Sequence, residues 1–351
     1  MLATTVCNDR FVVFVLNAWY VAAWTHEVGD QPIHREICSQ SMALFRNTNG
    51  EIGALADRCA HRAYPLSQGA VVGDLIQCGY HGFSYDTGGF CKLIPAQDKI
   101  PSRLAVRSYP VVEKDGWIWV WPGDPALAGA AEVPDTHWMN DPDWATVTHS
   151  VGFDCRAQLI HDNLLDLTHE TFLHTSTVGD EYIPRHPLTV TEDGNVVTAD
   201  RFMPGVVAPP LYAATMGTTG LVDRFHCTEF FVPSYHVLHS GITGQGRPRE
   251  EGYLIKVLNA ITPIDPHTSW YFYAFCRNFA IDDHRATADL QSGLGVVLQE
   301  DADALALQEI GMQARRCDEH DILISQDTGL VKARHLTDRM LAAEALAADR
   351  S

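Results

Sequence analysis

The sequence has little positive charge and no long hydrophobic run. It contains 25 Lys and Arg residues and 44 Asp and Glu residues, which gives a formal net charge of −19. A chain this acidic is a poor candidate for binding nucleic acid or an anionic membrane surface, although it could dock a basic protein. The longest apolar run, residues 11–24, is too short to span a bilayer and contains Asn17. We therefore predict a core strand there and no membrane span.

Signs of secretion and of disulfide bonding are also missing. The apolar run follows no basic segment and is followed by no small-residue cleavage site, so we expect no signal peptide. The nine cysteines are odd in number and widely spaced, which argues against a disulfide framework. We expect a reducing, cytoplasmic setting, in which close pairs of Cys and His more often bind metal.

The first third of the chain predicts short strands with frequent turns. Turn residues at 47–50 and 86–89 separate alternating segments, which is typical of hairpins. Trp117, Trp119 and Trp121 alternate with aliphatic residues and predict a buried strand, which the Pro-Gly-Asp-Pro sequence after it ends. We predict an all-β domain over residues 17–122.

The rest of the chain mixes helical and strand patterns. Helices are predicted over 156–176, 287–316 and 329–349, and strands over 228–241, 253–264 and 268–280. A hairpin is predicted over 188–202, with its turn at 192–195. We expect an α+β domain with an antiparallel sheet over residues 123–340 and a tail over 341–351.

Two mixed pairs of Cys and His lie in the predicted all-β domain. Cys59 and His61 form the first pair, and Cys78 and His81 form the second. Zinc is the metal that such residues most often bind, but structural zinc sites usually pair Cys with Cys and His with His. One mixed pair on each of two hairpin tips suits a two-iron cluster with thiolates on one iron and imidazoles on the other. This is the Rieske [2Fe–2S] arrangement.

A second group of possible ligands lies in the predicted helix at 156–176. Asp166 and His169 are three residues apart and share a helical face, whereas His174 lies five residues after His169. The helix must therefore bend, end or bulge for the two imidazoles to meet. Two His and one carboxylate would leave three coordination sites of an iron open for oxygen and substrate chemistry. Asn163 is a candidate for contact with an iron ligand.

The third iron ligand is expected from the long helix. Asp301 falls within the apolar stripe of this helix, four residues after Val297 and four before Leu305. A carboxylate that faces a core must be paired or bound to a cation. Asp301 is therefore the predicted ligand, with Glu300 as the alternative, and the iron site would lie between helices.

With these motifs the chain resembles the Rieske non-haem iron oxygenases, terminal oxygenase component. CAHR and CGYHG match the cluster motif of that family, DLTHETFLH matches its Asp-x2-His-x4-His motif, and Asp301 lies where its carboxylate ligand is found. The resemblance implies a homotrimer in which Asp166 passes electrons from the cluster of one subunit to the iron of the next.

The resemblance is strongest to the vanillate O-demethylase branch of the family. The matches are DNLLDLTHETFLH, the stretch 261–280, and residues 207–210 followed by VDRF. A His that contacts substrate in the related dicamba demethylase matches Asn259 here, which makes Asn259 a candidate for the substrate pocket. Arg201, Arg224 and Lys256 are candidate partners for a substrate carboxylate, and the sequence does not single out one of them.

The branch implies oxidation of a methyl ether on an aromatic acid, which collapses to a phenol and formaldehyde. Electrons would come from NADH or NADPH through a separate reductase, since the chain has no G-x-G-x-x-G after a strand and no flavin motif. Three alternatives remain: an oxygenase that hydroxylates or dihydroxylates an aromatic ring, a Rieske electron carrier, and a zinc-binding structural module.

Overall fold

The structure is a computed structural model that describes residues 14–209, 213, 217–218, 220–316 and 319–348. The described chain divides into two compact units. The first contains residues 15–135 and 262–266, and the second contains the described residues of 14, 136–261 and 267–348. In the described part, no helix is both long enough and apolar enough to cross a membrane.

The first unit is built almost entirely of short strands. The strands are β1 (Tyr20–Trp24), β2 (Ile33–Ile37), β3 (Gln40–Arg46), β4 (Ile52–Ala56), β5 (Ala70–Val72), β6 (Leu75–Gln77), β7 (Ser84–Tyr85), β8 (Cys91–Leu93), β9 (Val111–Lys114) and β10 (Trp117–Val120). They form three sheets with the strand orders β1-β10-β9, β2-β3-β4 and β5-β6-β7-β8. A single turn of helix, α1 (Pro125–Ala128), follows β10.

The hairpins predicted in this unit are confirmed. Strands β3 and β4 pair antiparallel across the turn at 47–50, and β7 pairs with β8 across the turn at 86–89. Strand β10 is buried at every position, so its two Trp residues pack into the core as the alternating pattern predicted. The first unit therefore has the all-β architecture expected from its turn residues, over residues 15–135 and 262–266 rather than 17–122.

The second unit contains one large antiparallel sheet. Its strands are β11 (Ala145–Phe153), β12 (Leu188–Asp193), β13 (Val196–Val207), β14 (Leu221–Phe231), β15 (Tyr235–Gly244), β16 (Tyr253–Asp265) and β17 (Thr268–Arg277). Their order in the sheet is β11-β17-β16-β15-β14-β13-β12. Consecutive strands from β12 to β16 are neighbours in the sheet and pair antiparallel with one another.

Four helices of the second unit have both ends within the described residues. They are α2 (Ala157–Leu165), α3 (Glu170–Leu173), α4 (His284–Ala314) and α5 (Thr328–Ala348). Leu159 and Leu164 of α2 pack with Leu305 of α4 against Tyr271 and Tyr273 of β17. This packing holds α2 and α4 beside each other on the sheet.

Three sequence-based expectations were wrong in detail. The core strand expected over 11–24 occupies only Tyr20–Trp24 within the described residues, and 11–13 lie outside them. The segment 228–241 is two strands, because the chain turns at 232–234, where Pro233 lacks the N–H needed to continue a ladder. The helix expected over 156–176 is interrupted after Leu165. Cys7, Pro210 and Cys317 lie outside the described residues.

Candidate metal centres

The four predicted cluster ligands lie in the first unit as two adjacent pairs, one of thiols and one of imidazoles. Cys59 follows β4, and Cys78 lies between β6 and β7. Both thiols are 2% exposed and belong to the same core cluster. The rings of His61 and His81 are exposed, with centroids 4.6 Å apart and planes at 65°. The two thiols are thus buried beside each other, and the two imidazole rings pack against each other at the surface.

The loop between β6 and β7 carries Cys78 and His81, and its backbone passes close to neighbouring atoms. A Cβ atom at Gly79 would lie 2.9 Å from the carbonyl oxygen of Gln68, and Gly82 has a φ of +72°. Glycine is favoured at both positions, since a side chain would clash at the first and strain the backbone at the second. The backbone N–H groups of Tyr80 and His81 point to the Cys78 sulfur, where they stabilise negative charge.

Tyr85 contacts the other sulfur. Its hydroxyl oxygen lies 3.2 Å from Cys59 Sγ and accepts a hydrogen bond of 3.2 Å from the N–H of Ala60. Because the oxygen already accepts from Ala60, its proton is available to the sulfur. Burial, and then the nearby Cys59 thiol, raise the pKa of Tyr85, so the hydroxyl stays protonated and can donate.

These residues fit an iron–sulfur cluster. Burial raises the pKa of the Cys78 thiol, so a thiolate there needs a nearby positive charge. Iron supplies that charge, and two thiolates with two imidazoles are the donor set of a Rieske centre.

The second group of predicted ligands meets in the second unit. Ligand atoms of His169, His174 and Asp301 all lie within 4.8 Å of one another. Asp301 Oδ1 is 3.6 Å from His169 Nε2 and 3.2 Å from His174 Nε2. The two rings have centroids 5.2 Å apart and planes at 81°. Two imidazoles and a carboxylate in this arrangement suit a mononuclear iron with open sites.

The interrupted helix brings the two imidazoles together. Helix α2 ends at Leu165, Leu167–His169 form one turn of 3-10 helix, and α3 ends at Leu173. The prediction that the helix must bend or end near His174 is confirmed. Asp166 produces the break, because its Oδ1 accepts from the N–H of Thr168 at 3.0 Å and from its hydroxyl at 2.7 Å.

In each of the two imidazoles, Nδ1 points away from the three predicted ligand atoms and lies within hydrogen-bond distance of an oxygen. His169 Nδ1 lies 2.7 Å from the carbonyl oxygen of Asp166, so it donates to that oxygen. His174 Nδ1 lies 2.8 Å from Glu300 Oε2. Such partners fix the tautomer of a metal-binding imidazole and leave Nε2 for the metal. Glu300, the alternative ligand, therefore lies on the far side of His174 from Asp301.

The surroundings of His174 indicate whether a metal ion suits this site. The residue is 1% exposed, and its Nε2 makes no hydrogen bond within the described chain. Burial opposes its protonation, but the carboxylates of Asp301 and Glu300 outweigh burial and raise the pKa of His174 to about 9. A buried nitrogen without a hydrogen bond, beside two carboxylates, is a site that a divalent cation would satisfy.

Asn163 lies between two of the predicted ligands. Its Nδ2 is 3.3 Å from His169 Nε2 and donates to Asp301 Oδ1 at 3.1 Å. The amide therefore holds the Asp301 carboxylate towards the imidazoles, and Asn163 is in contact with two of the three predicted ligands.

A cavity of about 750 Å³, part of it open to solvent, adjoins the three ligands. Its wall is mostly apolar and aromatic. On the helix side it includes Leu164, Leu294, Val297 and Leu298, and on the sheet side Leu238, Val257, Tyr271, Tyr273 and Phe275. A cavity lined mainly by apolar and aromatic side chains is suited to an aromatic molecule.

Only some of the polar residues proposed for the pocket line the cavity. Asn259 and Arg224 line the cavity. Arg201 bonds to Gln326 instead, at 2.7 Å, and Lys256 Nζ lies 5.5 Å from the centre of the Trp138 ring. Neither residue lines the cavity, so of the three candidate cations only Arg224 reaches it.

Sequence analysis did not identify the contacts of Tyr85 or the acidic partners of Arg224. Arg224 is 1% exposed and bonds to Asp180 and Glu170, which the break after Leu165 brings near strand β14. The only sequence signal for Tyr85 was its place in the second hairpin.

Models of two known protein families match the chain. The Rieske [2Fe–2S] domain matches residues 18–110, and the vanillate O-demethylase oxygenase C-terminal domain matches residues 153–343. A vanillate O-demethylase oxygenase subunit from a Pseudomonas species is 36% identical over 349 residues, covering 96% of this chain and 98% of the relative. A toluene-4-sulfonate monooxygenase iron–sulfur subunit from Comamonas testosteroni is 32% identical, covering 95% of this chain and 98% of the relative.

Solved structures give the same result. Dicamba monooxygenase bound to 3,6-dichlorosalicylic acid superposes with a TM-score of 0.91 at 32% identity, covering 95% of this chain and 99% of that one.

The fold and the two centres define a Rieske oxygenase. The chain belongs to the family of the vanillate O-demethylase oxygenase subunits, and it is an oxygenase component that works with a separate reductase. A Rieske cluster and a mononuclear iron are its cofactors, which removes the electron-carrier and zinc alternatives.

Proposed function

We propose that the chain catalyses oxidative O-demethylation of a methoxylated aromatic acid such as vanillate. The cavity carries this proposal, because a largely apolar space adjoins the side chains of His169, His174 and Asp301. The relatives named for vanillate and dicamba O-demethylation support the reaction class. The cytoplasm, with its reduced nicotinamide and reductases, is the proposed compartment.

The proposed ligands follow from the two centres. Cys59, His61, Cys78 and His81 hold the cluster, and the mononuclear iron is held by His169, His174 and Asp301. When bound, the iron supplies the activation of O2 for insertion of one oxygen atom into a methyl C–H bond. The balance is one methyl ether, O2, two electrons and two protons giving a hemiacetal and water, after which the hemiacetal yields a phenol and formaldehyde.

The chain's own residues bind the substrate and keep water out. Aromatic and aliphatic side chains of β16, β17 and α4 enclose the ring, and Asn163 and Glu300 hold the ligands in place. Burial of the apolar wall favours an aromatic substrate over water.

Asp166 is proposed to pass electrons between subunits of a homotrimer. Its side chain is half-buried and bonds to Thr168, while its carbonyl oxygen accepts from the imidazole of His169. This link to an iron ligand supports the role. A native mass of about three times the 38.8 kDa chain, measured by light scattering, would support the trimer, and a monomer would contradict it.

Formaldehyde release tests the proposed reaction. Purified, iron-loaded protein would be mixed in air with NADH, a reductase and a panel of methoxybenzoates including vanillate, with Asp301→Ala as the inactive control. We expect formaldehyde to match NADH consumption for at least one substrate. Consumption of NADH with a hydroxylated product and no formaldehyde would contradict demethylation and favour the ring-hydroxylation alternative.

A further inference from the structure

The imidazole of His226 has a defined tautomer. His226 lies on β14, lines the cavity and is 3% exposed. Its Nε2 is 2.8 Å from Nη2 of Arg224. A guanidinium has only donors, so Nε2 must be the acceptor. Burial, and then the charges of Arg224 and Arg201, hold the pKa of His226 well below its usual value, so the ring is neutral. Its single proton is therefore on Nδ1.

Among the described residues, none accepts a hydrogen bond from that Nδ1–H group. The atom is buried and makes no hydrogen bond to any residue in the part of the chain that the structure describes. Buried donors are almost always satisfied, because leaving one without a partner costs free energy. Since His226 forms part of the cavity wall, a ligand in the cavity could supply the missing acceptor.

Arg224 cannot take over this role without losing its own contacts. Its Nη1 donates to Asp180, and its Nη2 lies 3.2 Å from both Glu170 Oε2 and the carbonyl oxygen of Val178. These contacts hold the guanidinium against His226. The positive charge of Arg224 polarises the imidazole that accepts from it, which makes the Nδ1–H of His226 a stronger donor to an anion.

Asn259 is less suited to the same role. Its Oδ1 accepts from the Tyr271 hydroxyl at 2.9 Å, and its Nδ2 donates to the carbonyl oxygen of Val257 at 3.2 Å. Both polar atoms of the amide are therefore engaged by the protein. Ser240 is the cross-strand neighbour of His226 and also lines the cavity, which places a second polar group beside the imidazole.

We propose that His226 binds the carboxylate of the aromatic acid substrate through its Nδ1–H, with Arg224 and its acidic partners fixing the tautomer. This inference rests on the proposed function and adds a specificity-determining residue to it. The substrate anion then reaches the charge of Arg224 through a neutral imidazole rather than by direct pairing.

Binding measurements on two variants test the inference. His226→Phe removes both ring nitrogens, whereas His226→Asn keeps an N–H donor near the position of Nδ1. The dissociation constants of vanillate and of 2-methoxyphenol, which lacks the carboxylate, would be measured by equilibrium dialysis. The iron-loaded full chain would be used under argon, and circular dichroism and the visible spectrum of the cluster would confirm folding.

We expect H226F to weaken vanillate binding by about tenfold or more, the size of one hydrogen bond to a charged group. Binding of 2-methoxyphenol should change by no more than about twofold, and H226N should bind vanillate more tightly than H226F. Unchanged vanillate binding in H226F, or an equal loss for both probes in both variants, would overturn the inference, as would a wild-type chain that binds no methoxybenzoate. The expected binding pattern without formaldehyde release would instead overturn the proposed reaction and leave the carboxylate site in place.

Discussion

Glu300 and Asp301 are consecutive residues of α4 whose carboxylates lie at opposite nitrogens of one imidazole. Glu300 Oε2 is 2.8 Å from Nδ1 of His174, and Asp301 Oδ1 is 3.2 Å from Nε2. The two acids therefore have different roles. Asp301 lies where a metal would bind, and Glu300 lies where it can accept the other imidazole proton and make Nε2 a better metal donor.

Glu300→Gln should weaken iron binding without changing the cluster. Replacing the carboxylate by an amide leaves the shape but removes the negative charge next to Nδ1, so we expect about 10- to 100-fold lower iron affinity. Iron titration followed by chelator competition measures the affinity. The matched control is Asp303→Asn, because Asp303 is exposed and bonds only to Gln299 among the contacts described. Equal affinities for wild type and E300Q would contradict this role.

Asp166→Asn should separate the charge of Asp166 from its structural contacts. The amide oxygen can still accept from Thr168, so the break between α2 and α3 should persist. We expect normal iron content and a normal cluster spectrum, with most of the turnover lost. Stopped-flow measurement of cluster oxidation in the absence of reductase would locate the defect. Full activity would exclude the proposed electron transfer through Asp166.

Tyr85→Phe should lower the reduction potential of the cluster. The hydroxyl 3.2 Å from Cys59 Sγ stabilises the added electron, and its loss should cost roughly 1 kcal/mol in the reduced state, on the order of 50 mV. Redox titration monitored by the visible spectrum measures the potential. Tyr64→Phe is a suitable control, because Tyr64 packs against the same core without a hydroxyl contact to either cysteine. An unchanged potential in Y85F would show that the hydroxyl does not donate to the sulfur.

Glu309→Gln should destabilise the second unit above pH 4.5. Glu309 on α4 accepts from Arg156 at 2.7 and 2.8 Å, which joins α4 to the start of α2. Burial disfavours its charge, but Arg156, Gln313 and His267 outweigh burial and lower the pKa of Glu309 to about 2. The stabilisation is complete above the unfolded pKa of 4.5 and is lost as the pH falls towards 2.

Calorimetry at pH 7 and at pH 3 would measure this effect. We expect E309Q to cost about 3 kcal/mol at pH 7 and less at pH 3. Glu181→Gln is the control, since Glu181 and Arg185 form an exposed pair that should contribute less than about 1 kcal/mol. A difference between wild type and E309Q that does not depend on pH would contradict the role of the charge.

Local sequence patterns were sufficient for much of the fold. The hairpin at 47–50 followed from its turn residues, and the long helix followed from its apolar stripe. The strand at 228–241 was predicted as one element because its apolar residues continue through Val232 and Pro233. The helix break at Asp166 was indicated only by the five-residue spacing of the two His residues, since the residues around it have helical periodicity.

Contacts between distant segments were harder to predict. The stripe placed Asp301 towards the core, where the structure has it 8% exposed. No local pattern shows that Glu300 reaches Nδ1 of His174, because that contact depends on the rotation of α4 relative to α3. The tautomer of His226 depends on Arg224, whose acidic partners are 44 and 54 residues away in the chain.

The cavity is bounded by helices on one side and by the sheet on the other. The predicted iron ligands all come from the helical side, whereas the opposite wall of the cavity comes from β14 to β17. Substitutions on the strands can therefore change which ring is accepted while leaving the metal ligands in place. Directed evolution towards new methoxyarenes would best begin with Leu238, Val257 and Phe275, since mutations there can accumulate without loss of the oxidising centre.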